Sequence, residues 1–296
     1  MNTPTDIQPI TLSGGKLKES DIIKHTLTAG GHTLILPPRF IPEELHVDPP
    51  QNSFSINIGL LSSGSTGHPR CIWNTFHNLL TNARFTAKEL NIDCNDRLLI
   101  LASPWHVAGL SWAMMAEFVN ADYIIRAPVV GQTEQWLKLI HEFSPTHLLT
   151  VPNVLRNLSE HENWEVPEII FGGDHLTDEY YEATQSHCSG LTHAYGQTEA
   201  GGLLSSIRFA SDADIMPSQK RCVGTPAPTV YISCIGKPGA PAEIRTSSPT
   251  SIYNGYYETG DLGYLDDENR LYITGRSGKS QGNCNMLTSV TSIMHK

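Results

Sequence analysis

A run of small and hydroxyl-bearing residues at 61–70 is the segment of this chain best suited to hold phosphate. It reads LSSGSTGHPR and continues directly from the apolar run Ile56 to Leu61. Serine and threonine hydroxyls and unobstructed glycine N–H groups suit phosphate oxygens, and Arg70 adds a fixed positive charge. An ordinary turn after a strand has the same composition, so this loop alone leaves both interpretations open.

The nearest known phosphate loop with this glycine spacing, the Walker A motif, does not fit. Gly59 and Gly64 have the required separation, but Ser65 stands where that motif has its lysine. Without the lysine, nothing reaches the terminal phosphates of a nucleotide in the usual way. The sequence therefore argues against a P-loop NTPase.

Two further motifs follow apolar, strand-like runs. In Pro104–Leu110 (PWHVAGL), His106 sits between a tryptophan and small residues, where it either faces a cleft or packs at the start of a helix. In Phe171–Asp174 (FGGD), two glycines would allow a flat ligand to lie against the backbone. A tight turn explains these glycines equally well.

The segment Tyr195–Gly202 (YGQTEAGG) combines three useful chemical groups within five residues. Tyr195 offers an aromatic face, Thr198 a hydroxyl and Glu199 a carboxylate. Such a set can stack a base, bond a phosphate and supply an oxygen ligand to Mg²⁺.

Near the C-terminus, Thr259–Tyr264 (TGDLGY) and the pair Gly275-Arg276 bracket a hairpin-like segment, Tyr264 to Thr274. Asp261 could accept ribose hydroxyls, and Arg276 could add a donor nearby. Surface residues of a hairpin are the alternative interpretation.

Composition excludes several classes of protein. The chain has 296 residues, 39% hydrophobic and 17% charged, which is ordinary for a globular protein. A net charge of −10 argues against nonspecific nucleic-acid binding. No apolar run has the length of a membrane span, and residues 1–21 lack the apolar region of a secretory signal. The six cysteines form no CxxC pair, which predicts reduced thiols and a cytoplasmic location. The thirteen histidines are scattered, which predicts no histidine-based metal site.

The elements that must position these motifs follow an alternating pattern between residues 95 and 196. Strand-like runs are expected at Arg97–Ala102, Tyr123–Ala127, His147–Val151, Glu168–Phe171 and Leu191–Tyr195. Helical spacing appears at 76–90 and around Trp136, while Pro152 and Thr177 mark two helix starts. The pattern predicts an α/β fold with a layered, partly parallel sheet.

After residue 203, short runs separated by proline- and glycine-rich turns predict a smaller, mainly antiparallel β subdomain. We therefore expect an α/β subdomain at 1–202, a β subdomain at 203–276 and a flexible tail at 277–296.

The order of the five motifs resembles that of the acyl-adenylate-forming superfamily, which contains the acyl- and aryl-CoA synthetases. The resemblance covers residues 55–278 and implies the large-domain core of that superfamily. Two departures stand out: 61 residues precede Ser62, and 20 follow Arg276, where the superfamily has a longer N-terminal lobe and a separate C-terminal domain.

The resemblance implies ATP-dependent activation of a small carboxylic acid to an acyl-AMP and transfer to CoA, with ATP, Mg²⁺ and CoA as the small molecules used. Thr198 would contact the α-phosphate, Glu199 would ligate Mg²⁺, and His106 would border the acyl pocket. The nucleotide would be held by two further sets of residues. Those expected at the terminal phosphates are Ser62, Ser63, Gly64, Ser65, Thr66, Gly67 and Arg70; those expected at the adenine and ribose are Gly173, Asp174, Tyr195, Asp261 and Arg276.

Within the superfamily, the compact spacing and the histidine-containing loop are most similar to the 2-succinylbenzoate–CoA ligases. Two alternatives stay open: a degenerate nucleotide-binding protein without turnover, and an adenylation unit that loads a carrier protein. The oligomeric state is left open.

Overall fold

A computed structural model of the chain describes residues 8–11, 32–36, 56–62, 70–210 and 221–277, which form three β-sheets and five α-helices. The strands are β1 (Gln8–Thr11), β2 (His32–Leu36), β3 (Asn57–Ser62), β4 (Arg70–Thr75), β5 (Arg97–Leu101), β6 (Asp122–Ile125), β7 (His147–Thr150), β8 (Glu168–Gly172), β9 (Gly190–Gln197), β10 (Gly202–Ala210), β11 (Thr225–Pro226), β12 (Tyr231–Ser233), β13 (Ala242–Ser247), β14 (Tyr257–Leu265) and β15 (Leu271–Arg276). The helices are α1 (Phe76–Glu89), α2 (Val107–Val119), α3 (Thr133–Phe143), α4 (Pro152–Leu158) and α5 (Asp178–Gln185), and Thr198–Ala200 form a 3₁₀ turn.

The largest sheet has seven strands in the order β11-β10-β9-β8-β7-β5-β6. Strands β6, β5, β7, β8 and β9 are mutually parallel, and β10 and β11 are antiparallel additions at one end. Parallel neighbours need crossover connections, which helices supply here. The predicted α/β class and partly parallel sheet are confirmed.

The core lies on both faces of this sheet because side chains alternate along each strand. On β5, Leu98 and Ile100 join the cluster that packs α1 and α2, while Leu99 and Leu101 join the cluster beneath α3, α4 and α5. All four leucine and isoleucine side chains are fully buried. Burial on both faces explains why β5 reads as a continuous apolar run.

The predicted helix starts agree with the structure. Helix α1 begins after Thr75, whose hydroxyl accepts a hydrogen bond from the backbone N–H of Asn78 at 3.1 Å. Pro152 is the first residue of α4, where its missing N–H costs nothing. Thr177 precedes α5, although its side chain makes no capping hydrogen bond.

Two four-stranded sheets complete the fold. One has the order β1-β2-β3-β4, and its β3 and β4 are antiparallel on either side of the expected phosphate loop. The other, β12-β13-β14-β15, is antiparallel throughout, and its β14 and β15 form the hairpin predicted around 264–274.

The run Leu203–Phe209, which we assigned to the smaller β subdomain, forms most of β10. This strand is hydrogen-bonded to β9 in the seven-stranded sheet, whereas the separate antiparallel sheet begins at Tyr231. A short apolar run does not reveal its partner strand, because strand pairing depends on tertiary context. The division at 202 and 203 is not tested by this pairing and stays a prediction, as does the tail at 277–296, which lies outside the described residues beyond Ser277.

None of the helices in the described part of the chain combines the length and apolar character that crossing a bilayer requires.

Candidate active site

A pocket of about 490 Å³ lies where the C-terminal ends of β8 and β9 meet β14 and β15. Five residues singled out in the sequence line it together: Gly173, Asp174, Tyr195, Asp261 and Arg276. They come from three motifs that are up to 103 residues apart, as the positions 173 and 276 show. Ligand pockets in open α/β sheets commonly lie at this edge.

Asp261 is the most closely surrounded group in the pocket and is 3% exposed. One carboxylate oxygen, Oδ2, accepts the Tyr195 hydroxyl at 2.7 Å and the Gln197 amide at 2.9 Å. The other, Oδ1, receives the Arg276 Nε at 2.9 Å. Asp261 and Arg276 face each other in the β14–β15 ladder, which fixes this pair through the backbone. Three donors thus hold the carboxylate in one orientation.

Burial dominates the electrostatics of this cluster. Burial raises the pKa of Asp261, while the Arg276 charge and the hydrogen bonds from Tyr195 and Gln197 oppose that rise. Burial, followed by the nearby Asp261 charge, holds the pKa of Tyr195 well above its usual value. Tyr195 therefore stays a neutral phenol, and its hydroxyl donates a hydrogen bond to the carboxylate.

Gln197 belongs to this network, although it was not among the residues selected from the sequence. Its amide nitrogen also donates to the Thr259 carbonyl at 2.9 Å, and its amide oxygen accepts the Tyr257 hydroxyl at 3.2 Å. The side chain is buried, with 8% of the residue exposed. These partners lie 60 to 64 residues away along the chain, so local pattern carries no signal for them.

The backbone at the end of β8 allows a close approach. Gly173 has φ = 89°, in the left-handed region that favours glycine. At Gly172, an added Cβ would lie 2.5 Å from the Ala194 carbonyl oxygen of β9, so a side chain is excluded there. The turn requires both glycines, and Gly173 also faces the pocket. The structure thus shows the backbone role of the two glycines, and contact of a flat ligand with this backbone stays a prediction.

Two histidines that the sequence did not select also line the pocket. His193 is 6% exposed and stacks on Phe171 with ring centroids 4.5 Å apart. Burial, with a smaller contribution from His175, lowers the pKa of His193 to about 3. Burial followed by the Arg221 charge lowers the pKa of His175. Both imidazoles are therefore neutral at pH 7.

Side chains from β4 and α1 bond the backbone in and next to the turn that carries Thr198 and Glu199. The Asn74 amide donates to the Thr198 carbonyl at 3.0 Å. The Asn82 amide nitrogen donates to the Leu203 carbonyl at 3.1 Å, and its oxygen accepts the Leu203 N–H at 3.0 Å. Sequence reasoning missed both residues: Asn74 lies on β4 and Asn82 on the buried face of α1, and their partners are more than 100 residues away along the chain.

Glu199 lies half-buried in this turn, and its carbonyl accepts the backbone N–H of Ile252 at 2.9 Å. Among the described residues, no group of three or more His, Cys, Asp or Glu side chains could hold a metal ion. One carboxylate still suits Mg²⁺, which commonly takes its other ligands from water and nucleotide phosphates. Glu199 therefore fits a metal that arrives with a nucleotide.

Five residues of the expected phosphate loop, Ser63, Gly64, Ser65, Thr66 and Gly67, lie outside the described residues. The ends of the loop are described: Ser62 and Arg70 are register partners, and the Ser62 hydroxyl donates to the Arg70 carbonyl at 3.3 Å.

His106 directly precedes α2, and its ring contacts the end of β3. Its Nδ1 is 3.2 Å from the Leu61 carbonyl, an acceptor, so Nδ1 carries the hydrogen. Burial lowers the pKa of His106, with the bond to Leu61 opposing. The ring is therefore neutral, with Nε2 as the nitrogen that can accept a hydrogen bond.

The described residues thus form two groups. The first lines the pocket around Asp261, and the second joins His106 to the end of β3. Thr198 and Glu199 do not line the pocket, but they follow Gln197 directly and are tied through Asn74 to β4.

Comparison with known proteins fits this arrangement. The family described as AMP-binding enzyme matches residues 15–257, and the chain belongs to that family.

The chain is similar to the 2-succinylbenzoate–CoA ligase of Staphylococcus epidermidis, with 25% identity over 244 residues. The match covers 76% of this chain and 50% of that protein, so the chain spans about half the length of the relative.

Among solved structures, O-succinylbenzoate coenzyme A synthetase (MenE) from Bacillus subtilis in complex with AMP has a TM-score of 0.67 and 20% identity, covering 88% of this chain and 62% of that one. The same synthetase in complex with ATP and magnesium ion has a TM-score of 0.64 and 21% identity, covering 90% and 64%. At these identities the likeness shows the fold, and it confirms the predicted large-domain core of adenylate-forming enzymes.

Proposed function

We propose that this chain binds ATP with Mg²⁺ and activates a small carboxylic acid as its acyl-adenylate, with transfer to the thiol of CoA as the second step. The observation that carries the proposal is that five of the expected residues line one pocket together: Gly173, Asp174, Tyr195, Asp261 and Arg276. In the first step a carboxylate oxygen bonds to the α-phosphorus, and pyrophosphate leaves as the bond to the β-phosphate breaks. In the second, the thiol sulfur bonds to the acyl carbon and AMP leaves.

Most of the acceleration in such a substitution comes from positioning and charge neutralisation. We assign the ribose to Asp261 and Arg276, and the adenine to the surface formed by Gly173, Asp174 and Tyr195. We assign the α-phosphate to Thr198, with Mg²⁺ supplying further neutralisation through Glu199. The turn carrying these two residues is fixed by buried hydrogen bonds, so it is preorganised.

The terminal phosphates are assigned to the loop between β3 and β4, from Ser62 to Arg70. Arg70 is exposed at the loop end and supplies the positive charge. His106 beside the loop would border the acid, with its neutral Nε2 available as a hydrogen-bond acceptor. The acid we propose is 2-succinylbenzoate, because the relative of Staphylococcus epidermidis carries that name.

The test is ATP–pyrophosphate exchange with and without 2-succinylbenzoate and a panel of other small acids. Acid-dependent exchange supports the proposal, and stabilisation by AMP without exchange for any acid supports a non-catalytic nucleotide-binding protein instead. Product analysis with CoA and with a phosphopantetheine carrier protein distinguishes the two thiol acceptors.

Glu199→Gln tests the metal assignment within the same assay. Losing one carboxylate ligand should lower Mg²⁺-dependent exchange by about tenfold to a hundredfold, while metal-free AMP binding changes little. Glu258→Gln is the matched control, since Glu258 on β14 is exposed and pairs with Arg245 on β13. Equal exchange rates in the two variants would contradict the role given to Glu199.

A further inference from the structure

Gln197 bonds Asp261 and Tyr195 directly, although it does not line the pocket itself. Its amide nitrogen lies 2.9 Å from Asp261 Oδ2, 2.9 Å from the Thr259 carbonyl and 3.3 Å from the Tyr195 hydroxyl. Its amide oxygen accepts the Tyr257 hydroxyl at 3.2 Å. The orientation of the amide is fixed by these partners, because the reverse orientation would place its oxygen against a carboxylate and a carbonyl.

The two carboxylate oxygens of Asp261 have different hydrogen-bond partners. Oδ2 receives two donors, from Tyr195 and Gln197, and these use both of its lone pairs. Oδ1 receives the Arg276 Nε and keeps one lone pair. Asp261 lines the pocket, so Oδ1 is the atom with acceptor capacity left for a ligand.

We infer that Gln197 is a positioning residue: by holding Oδ2 and the backbone of Thr259, it aims Asp261 Oδ1 at one ribose hydroxyl of the bound nucleotide. The inference rests on the proposed function, since it needs a nucleotide in this pocket. Gln197 joins β9 to β14, two strands of different sheets, so it also sets how far Asp261 stands from the base-binding backbone of β8 and β9.

The direct test compares AMP with 2′,3′-dideoxyadenosine monophosphate, which lacks both ribose hydroxyls, by calorimetric titration of the full chain. A hydrogen bond to a charged carboxylate gives wild type a preference for AMP of about tenfold to a hundredfold. In Gln197→Met, a near-isosteric change without donors, AMP affinity should fall until the preference is within about threefold, while dideoxy-AMP affinity stays within about twofold of wild type.

The outcomes separate the two claims. If Gln197→Met keeps the wild-type preference, or weakens both nucleotides equally, the positioning role is overturned while nucleotide binding stands. If wild type binds neither nucleotide, the proposed function fails, and the inference fails with it. A matched control is Asn157→Leu, which removes a side-chain amide bonded within α4, away from the pocket lining, and should leave the preference unchanged.

Gln197→Glu decides the matter should the methionine variant fail to fold. A protonated glutamic acid can donate to Asp261 Oδ2, whereas an ionised one repels it, and two neighbouring carboxyls titrate above their usual range. At each pH, the preference of Gln197→Glu for AMP over dideoxy-AMP is compared with that of wild type. The preference of the variant should return towards the wild-type value as pH falls from about 8 to about 5.5. A preference that stays absent at every pH would overturn the positioning role.

Comparison with wild type at the same pH removes the effect of titrating the other ionisable groups around residue 197 and Asp261. Those groups are Tyr195 on β9, Glu243 on β13, Tyr257 on β14 and Arg276 on β15, with His193 and His175 across the pocket.

Discussion

Replacement of Asn82 by leucine tests how the turn carrying Thr198 and Glu199 is held in place. Asn82 is completely buried in α1, and its amide pairs with both the N–H and the carbonyl of Leu203. Leu203 lies at an irregularity in the β9–β10 ladder, between Leu203 and Ser205. Leu203 is the register partner of Gly196 in that ladder, and the Asn82 amide bonds both of its backbone polar groups.

The magnitude follows from the groups left without partners. Leucine fills a similar volume but cannot bond the Leu203 N–H or carbonyl, and each unsatisfied buried backbone group costs about 1–3 kcal/mol. We expect Asn82→Leu to lower the free energy of unfolding by about 2 to 5 kcal/mol. For a chain of this size, that loss lowers Tm by about 3 to 8 °C.

The assay is urea unfolding followed by circular dichroism, with Asn78→Leu as the matched control. Asn78 lies one turn earlier on α1, is half-buried, and makes a single side-chain bond of 3.4 Å to the Ser251 carbonyl. Its replacement should cost less than about 1 kcal/mol. The reasoning is refuted if the two variants unfold at the same urea concentration, because burial of the amide would then carry no cost.

Two further predictions concern protonation. His193 has a pKa of about 3 when folded, well below that of the unfolded chain, so the folded state binds fewer protons and stability is lost as pH falls below about 6.5. Between pH 7 and 5, wild type should lose about 2 kcal/mol more than His193→Phe, which keeps an aromatic ring against Phe171; parallel pH curves in urea unfolding would disprove this. Burial raises the pKa of the Cys71 thiol to about 12, whereas Cys94 is exposed, so native protein treated with iodoacetamide should be labelled at Cys94 at least about tenfold faster. Peptide mass mapping gives the two rates, and similar rates would show that the Cys71 site opens readily.

The fold could be predicted wherever local pattern determines it. The strands β5, β7 and β8 appear at the expected positions to within one residue, because continuous apolar runs bounded by turn residues have few alternatives. The hairpin of β14 and β15 also follows from local turn chemistry. The pairing of β10 with β9 could not be predicted in this way, since strand pairing depends on contacts across the whole sheet.

The candidate site divides in the same way. Motifs identified Tyr195, Asp261 and Arg276, and the structure brings them within hydrogen-bonding distance. The residues that hold them, such as Gln197 and Asn82, act over separations of 62 to 121 residues. Such partners become visible only when the chain is folded, so a single sequence carries little information about them.

A crystal structure of the full chain grown with AMP tests the central claim most directly. We expect the ribose within hydrogen-bonding distance of Asp261 and the adenine against the backbone of Gly173 and Tyr195. AMP bound at another surface, or an empty pocket at saturating AMP, would contradict the assignment of this pocket to the nucleotide.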